Sequence, residues 1–461
     1  MLLTGRRPRL FPAFAVAAVL GTGWLGLPAY ADPPCQPRWT EGFSLPGVSN
    51  SVWALTVFDD GSVPALYAGG EFTTAGGVSA NRIAKWDGSA WSALGSGLNS
   101  RVFALTVFDD GSGPALYAGG HFTTAGGVPA NYIAKWNGST WSPLGSGLNS
   151  RVFALTVFDD GSGPALYAGG WFTTAGGVSA SRIAKWDGSA WSPLGTGMNS
   201  SVWALTVFDD GSGPALYAGG EFITAGGVSA NYIAKWDGST WSPLGSGMNN
   251  TVYALTVFDD GGGPALYAGG RFITAGGVSA NRIAKWDGST WAPLGGGVSG
   301  TPQPAVQALA VLDDGSGPAL YAGGSFTTAD GVSANRIAKW DVSTWSPLGG
   351  GMSGDGSFPD VFALTVFDDG SGAALHAGGG FTIAGGAVSG RIAKWDGSAW
   401  SPLGGGMNGV SGSVTDLVVF SDGSGQALYA GGSFTTAGGV SAKYIAKWDG
   451  STWSPLVSGM G

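Results

Sequence analysis

From Val52 onward the chain repeats itself, and few features limit a fold more. Successive units open at Val52, Val102, Val152, Val202, Val252, Val306, Val361 and Val414. The spacing is 50 residues up to Val252 and then 54, 55 and 53. At this period each unit is one supersecondary element, too small to bury its apolar faces alone, so the units must stack.

One unit resolves into four short β segments: "VWALTVF" (52–58), "ALYAGGEF" (65–72), "RIAKW" (82–86) and "AWSAL" (90–94). "DDGSVP" turns the chain between the first two. "TTAGGVSAN" reads as a longer loop before the third. Asp-Gly between the third and fourth predicts a tight hairpin whose two turn residues both tolerate positive φ. No segment carries a capped helical period. The chain holds 86 glycines, which alone would suggest disorder or a fibrous chain. Its 21 tryptophans argue for a packed core, because each can bury roughly 150–250 Å². Four antiparallel strands repeated eight times without helix predict an all-β fold, a single β-propeller of eight four-stranded blades, with seven blades plus a remnant as the alternative.

"ALYAGG", "IAKWDGSTWSPLG" and "VFALTVFDDG" together resemble the kelch-type repeat of galactose-oxidase-like propellers. In that pattern an apolar strand ends in Gly-Gly, here Gly69-Gly70 and its copies. An aromatic precedes a turn, here Trp86 where kelch usually has Tyr, and a later Trp is Trp91. The resemblance spans about residues 38 to 460. It implies the fold and says little of function, since propellers host many. Copper oxidase chemistry of the galactose-oxidase type would need His and Tyr ligands and a Cys–Tyr crosslink. His121 and His376 lie in distant repeats, and the lone Cys35 lies near the N-terminus, so that chemistry is not supplied.

Residues 1–31 read as a secretory signal peptide: Arg6, Arg7 and Arg9, then an apolar run, then Ala29-Tyr30-Ala31. Residues 32–50 follow as an N-terminal segment, in which "RWTEGFSL" (38–45) resembles a shortened copy of "KWDGSAWSAL" and is a candidate closing strand. Residues 51–461 form the repeat array. Removing the leader takes the net charge from −9 to −12, which argues against a nucleic-acid partner. No membrane span is expected after cleavage, and the protein is expected to be a secreted, periplasmic or cell-surface monomer. One cysteine permits no intrachain disulfide.

Antiparallel order places the first and third turns on one face and the other loops on the opposite face. The first face gathers Asp59, Asp60, Asp87 and their copies. Turn geometry explains them, because Asp hydrogen-bonds its own backbone; Ca²⁺ binding is the alternative, and otherwise no cofactor and no metal site is expected. Each repeat also keeps a lysine, from Lys85 to Lys447, suited to pairing with those carboxylates with its stem on Trp. The other face varies. After Gly-Gly come Glu71, His121, Trp171, Glu221 and Arg271. Before Ile-Ala-Lys-Trp come Arg82, Tyr132, Arg182, Tyr232 and Arg282. Before the opening valine come Arg101 and Arg151. All changes in repeat length fall here too. These twelve side chains are the candidate ligand face, because Arg, Tyr and Trp anchor interfaces and loops on rigid scaffolds carry function. No catalytic set is expected. The reading is a binding scaffold for a glycan or protein. The alternatives are a glycan-active enzyme using Glu71 and Glu221 on the same face, or a repetitive surface protein without a specific ligand.

Overall fold

The structure, a computed structural model, describes residues 48–62, 64–87, 89–354, 359–369, 371–404, 406–408 and 412–456. The leader and the candidate closing strand at 38–45 lie outside these residues. Each repeat forms one antiparallel four-stranded sheet. In blade 1, strand A is Val52–Asp59, strand B Pro64–Gly70, strand C Ile83–Trp86 and strand D Trp91–Ala93. The sheet order is A-B-C-D in all eight blades.

Strand A of every blade touches strand A of both neighbours, and Val414–Ser421 of blade 8 touches Val52–Asp59 of blade 1. The ring is therefore closed. The chain is an eight-bladed β-propeller, with A strands around the axis and D strands at the rim. Among the described residues there is no helix, and so none long and apolar enough to cross a membrane.

Eight apolar cores hold the ring, each built from two adjacent blades. One joins Phe58, Tyr67 and Leu94 of blade 1 to Val102, Leu116, Phe122 and Trp141 of blade 2. The seam core joins Phe420, Tyr429 and Leu456 of blade 8 to Val52, Leu66, Phe72 and Trp91 of blade 1 in the same way. All four strands of blade 8 come from its own repeat. The N-terminal segment contributes a connector instead. Val48 N–H donates to Lys443 C=O at 2.8 Å, as Leu98 N–H donates to Asn81 C=O at 2.9 Å within blade 1.

The Gly-Gly pair is a close-approach site. A Cβ on Gly119 would stand 2.6 Å from Val152 Cγ1 of the next blade, and one on Gly120 would enter the Arg101 carbonyl. Gly431 meets Val52 across the seam at the same 2.6 Å. The strand-D tryptophan ties blades at the rim. Trp191 Nε1 donates to Leu144 C=O of the preceding blade at 2.8 Å, and Trp91 Nε1 to Leu456 C=O at 2.7 Å across the seam. The same ring packs on the strand-C tryptophan of its own blade, with Trp186 and Trp191 centroids 5.4 Å apart.

Two turns differ from the expectations. "TTAGGVSAN" is not an open loop: Thr74–Ala75 pairs with Val78–Ser79. Gly76 and Gly77 between them sit at φ 53° and 85°, as a two-residue turn with both central φ positive requires. The Asp-Gly turn, by contrast, is a four-residue loop between the paired Trp186 and Trp191. Only Gly188 has positive φ, at 100°, while Asp187 Oδ1 accepts the Ser189 and Ala190 N–H groups. Asp won its place there as a side-chain cap on the turn.

The acidic face spends its oxygens locally. Asp109 Oδ1 accepts the Gly111 and Gly113 N–H groups, and Asp110 Oδ1 accepts Ser112 Oγ. Lys185 pairs with Asp160 at 2.6 Å and donates to Ser162 Oγ. Its ammonium lies 5.9 Å from the Tyr167 ring centre, so the lysine covers the strand-B tyrosine rather than a tryptophan. Burial raises the Asp160 carboxyl, but hydrogen bonds from Lys185, Ser162 and Tyr167 outweigh it and hold the group at about 2. Among the described residues no three His, Cys, Asp or Glu side chains converge as a metal site would require.

Candidate functional site: an aromatic and cationic crescent at the axis mouth

In every blade the pairing of strand A with strand B slips between the first and third residues of A. The second residue is the extra one of a β-bulge, a device that re-aims a side chain. Those residues are Trp53, Phe103, Phe153, Trp203, Tyr253, Gln307, Phe362 and Thr415. Blades 1 to 4 bring them edge to edge. Ring centroids are 5.3 Å apart for Trp53–Phe103, 5.8 Å for Phe103–Phe153 and 4.3 Å for the stacked Phe153–Trp203. They form an aromatic arc near the start of strand A, on the face of the variable loops. All remain half-buried, so solvent reaches them.

Around this arc lies a second tier. The residue after Gly-Gly donates its N–H to the residue before the opening valine: Glu71 to Ser51, His121 to Arg101, Trp171 to Arg151, Glu221 to Ser201 and Arg271 to Thr251. The backbone thus presents side chains in couples, one per blade. Arg101 stands over the Trp53 ring at 5.5 Å and pairs with Glu71 of blade 1 at 2.8 Å. Arg151 stands 5.9 Å over Trp171, whose indole is 51% exposed. Arg271 stands 5.7 Å over Tyr253. His121 stacks on Tyr132 at 6.0 Å. Burial, then the charges of Arg151 and Arg101, push the imidazole below its ordinary value and favour the neutral ring.

The residues before Ile-Ala-Lys-Trp play a different part. Arg82, Tyr132, Arg182, Tyr232 and Arg282 all adopt left-handed backbone, with φ between 64° and 68°. Their N–H groups donate to the preceding Phe carbonyl and their C=O groups accept from the second glycine of Gly-Gly, as in Arg82 with Phe72 and Gly70. They are half-buried; Tyr132 and Tyr232 cover interblade cores. The Arg82, Arg182 and Arg282 Nε atoms are buried without a hydrogen-bond partner. These five are half-buried and bonded into the frame, while Arg101, Trp171, Glu221 and Arg271 are exposed at the face with half-buried Glu71, His121 and Arg151 beside them.

Blades 6 to 8 lack the outer tier, although Phe362 keeps an aromatic at the bulge of blade 7. Their couples are Ala305 with Ser325, Asp360 with Gly380, and Ser413 with Ser433. In blade 6 the longer loop folds back, with Thr301 Oγ1 donating to Ser325 C=O at 2.6 Å and Ser325 Oγ to Gln303 C=O at 3.1 Å. The site is a crescent over blades 1 to 5.

Reading the variable positions finds the outer tier but misses the inner arc. The signal was present: the second residue of strand A changes between Trp, Phe, Tyr, Gln and Thr while the valine before it is constant and the residue after it is alanine in seven of eight blades. Asp416 was also missed. It occupies the place of Ala54 and its copies, and no other A strand has a carboxyl there. Its Oδ2 accepts the Leu55 N–H of blade 1 at 2.7 Å and its Oδ1 accepts the Leu417 N–H at 2.9 Å. Thr415 beside it donates to Val52 C=O at 2.6 Å. Burial against the axis raises the Asp416 carboxyl to about 7, although its two backbone donors pull the other way.

Glu71 is engaged by Arg101, so it does not stand free as a general acid or base. His376, in the slot of the strand-B tyrosine, is fully buried on Phe367 and stands away from the crescent. What the crescent offers is flat apolar rings beside fixed guanidinium groups.

No protein-family model matches the chain, and no curated protein matches it significantly. Solved structures resemble it in part. The extracellular domain of a putative one component system from B. thetaiotaomicron aligns at 10% identity with a TM-score of 0.40, over 90% of this chain and 54% of that one. An ancestral GH74 enzyme aligns at 13% identity and 0.30, over 89% and 62%. BBS1N, solved in complex with ARL6DN, aligns at 12% and 0.37, over 71% and 87%. The chain thus spans about half the length of the bacterial extracellular domain it matches.

Proposed function

We propose that the protein is a binding scaffold, secreted or displayed at the cell surface after loss of residues 1–31, that holds a glycan or protein ligand on the crescent of blades 1 to 5. It works as a monomer, without cofactor, on a kelch-like frame. The observation that carries this reading is the contrast between constant frame and varied mouth. Gly-Gly, the rim tryptophans and the Asp–Lys pairs recur in every blade, whereas the aromatic and cationic side chains of the mouth concentrate in blades 1 to 5, with Phe362 and Asp360 of blade 7 outside them. Aromatic and Arg side chains are the usual anchors of recognition surfaces. The engagement of Glu71 by Arg101 favours binding over glycan hydrolysis.

A glycan array and a pull-down with residues 32–461 test the reading. The expected result is a ligand whose capture falls at least tenfold in Trp171→Ala. Ligand capture that is indifferent to Trp171→Ala and to Arg151→Ala would move the site elsewhere, and no capture at all would leave a structural protein.

A further inference from the structure

Charge is distributed very unevenly over the two faces. On the turn face each of eight lysines, from Lys85 to Lys447, is paired with one carboxylate of its own blade. Asp59, Asp109, Asp159, Asp209, Asp259 and Asp313 of that face join no lysine or arginine in an ion pair among the described residues. On the crescent face the balance inverts. One pair, Arg101 with Glu71, is closed there. Among the described residues Arg151 and Arg271 make no ion pair and lie against aromatic rings instead. The half-buried Arg82, Arg182 and Arg282 have buried Nε atoms without partners and make no ion pair among the described residues. Their Nη1 atoms donate to the frame, Arg82 to Phe72 C=O and Arg182 to Phe172 C=O at 3.1 Å and Arg282 to Asn281 Oδ1 at 3.4 Å, and Arg336 of blade 6 has the same open Nε. With Glu71 and Glu221 counted against Arg82, Arg101, Arg151, Arg182, Arg271 and Arg282, blades 1 to 5 keep a net positive charge at the mouth of a strongly acidic protein.

We infer, building on the reading above, that the crescent binds an anionic polysaccharide, one whose carboxylate or sulfate groups meet Arg151 and Arg271 while its sugar rings lie on Trp171 and the aromatic arc. Two features favour a glycan over an acidic peptide. Trp53, Trp171 and Tyr253 each sit under a guanidinium, so apolar platforms and cations adjoin at three places along the crescent, which matches a ligand alternating flat C–H faces with acid groups. The arc continues from blade to blade without a deep pocket for a protruding side chain, which suits an extended chain. The acidic opposite face repels the same ligand and so orients its approach.

The experiment measures binding of residues 32–461 to polygalacturonate and to heparin, with dextran as neutral glycan and poly-glutamate as acidic peptide, at low and high salt. The expected result is binding to at least one of the two anionic polysaccharides, weakened at least tenfold by high salt and by Arg151→Ala combined with Arg271→Ala, and also lost in Trp171→Ala. Asp109→Asn on the far face leaves it unchanged. Polygalacturonate alone would assign carboxylate, heparin alone sulfate. Equal binding of dextran, or of poly-glutamate, sensitive to Trp171→Ala, would overturn the anionic-glycan assignment while keeping the crescent as the site. Binding by none of the four, with an array and pull-down also empty, would overturn both. Far-ultraviolet circular dichroism of each variant separates lost binding from lost folding.

Discussion

Val342 stands where the other seven repeats carry glycine after the strand-C tryptophan and its turn Asp or Asn. Its φ is 82°, a conformation that a β-branched residue adopts only under strain. Val342→Gly should relieve it and raise unfolding stability by about 1 kcal/mol, after the entropic cost of a new glycine; an unmoved or lower urea midpoint contradicts this. His376 is a second local exception. Tyr167 donates its hydroxyl to Asp160 at 2.8 Å, and the strand-B tyrosines make this bond in blades 1 to 6 and 8. His376 instead brings Nδ1 to 3.2 Å from Ala374 C=O, and its Nε2 is buried without a partner. Burial accordingly depresses the imidazole to about 4. His376→Tyr should therefore stabilise blade 7 by about 1–3 kcal/mol, read as a rise in thermal midpoint. A fall would mean that the pocket has reshaped around the imidazole.

Within a blade, the rim tryptophan joins three partners: its strand-C neighbour, the core and the carbonyl of the preceding blade. Trp191→Ala removes all of them and should cost roughly 3–5 kcal/mol in a denaturant titration; a loss below about 1 kcal/mol would contradict the tether to Leu144. At this scale the sequence is legible where a local rule has one solution. Alternating apolar runs broken by Asp-Asp-Gly and Gly-Gly specify strands and turns, and the repeat specifies their number. The Gly-Gly pair explains itself only in three dimensions, since the atom that excludes a Cβ, Val152 Cγ1, belongs to the next blade. The Ala-Gly-Gly-Val hairpin was readable from its glycines but hidden by their abundance. The bulge at Trp53 was not readable from strand period alone, because a bulge breaks that period. For this reason the outer tier of the site was visible in the sequence and the aromatic arc was not.

The whole molecule has one junction without a covalent connection, between blades 8 and 1, and the exceptional polar residues Thr415 and Asp416 lie on it. An A strand at the axis leaves one edge unpaired; here the two side chains bond across the seam to the edge of blade 1. They also couple the ring to pH. The Asp416 carboxyl binds its proton more tightly in the folded ring than in the unfolded chain. Its contribution is therefore fully present below the ordinary carboxylate value near 4 and is lost as pH rises toward about 7. The Asp160-type carboxyls, held at about 2, act in the opposite sense: their stabilisation is present above about 4 and is lost as pH falls through about 2. Stability from these groups should peak near pH 4. Asp416→Asn should remove the decline toward neutrality and leave the acid limb intact; a decline that persists in the variant would place its source elsewhere.

The central claim is that a uniform ring carries one working sector, and hydrogen exchange tests it most directly. Residues 32–461 are followed by mass spectrometry with and without the anionic polysaccharide that binds best. The account predicts protection confined to peptides covering 51–53, 71, 101–103, 121, 151–153, 171, 221, 253 and 271. Protection centred on the Asp-Asp-Gly turns, or spread evenly over all eight blades, would contradict it.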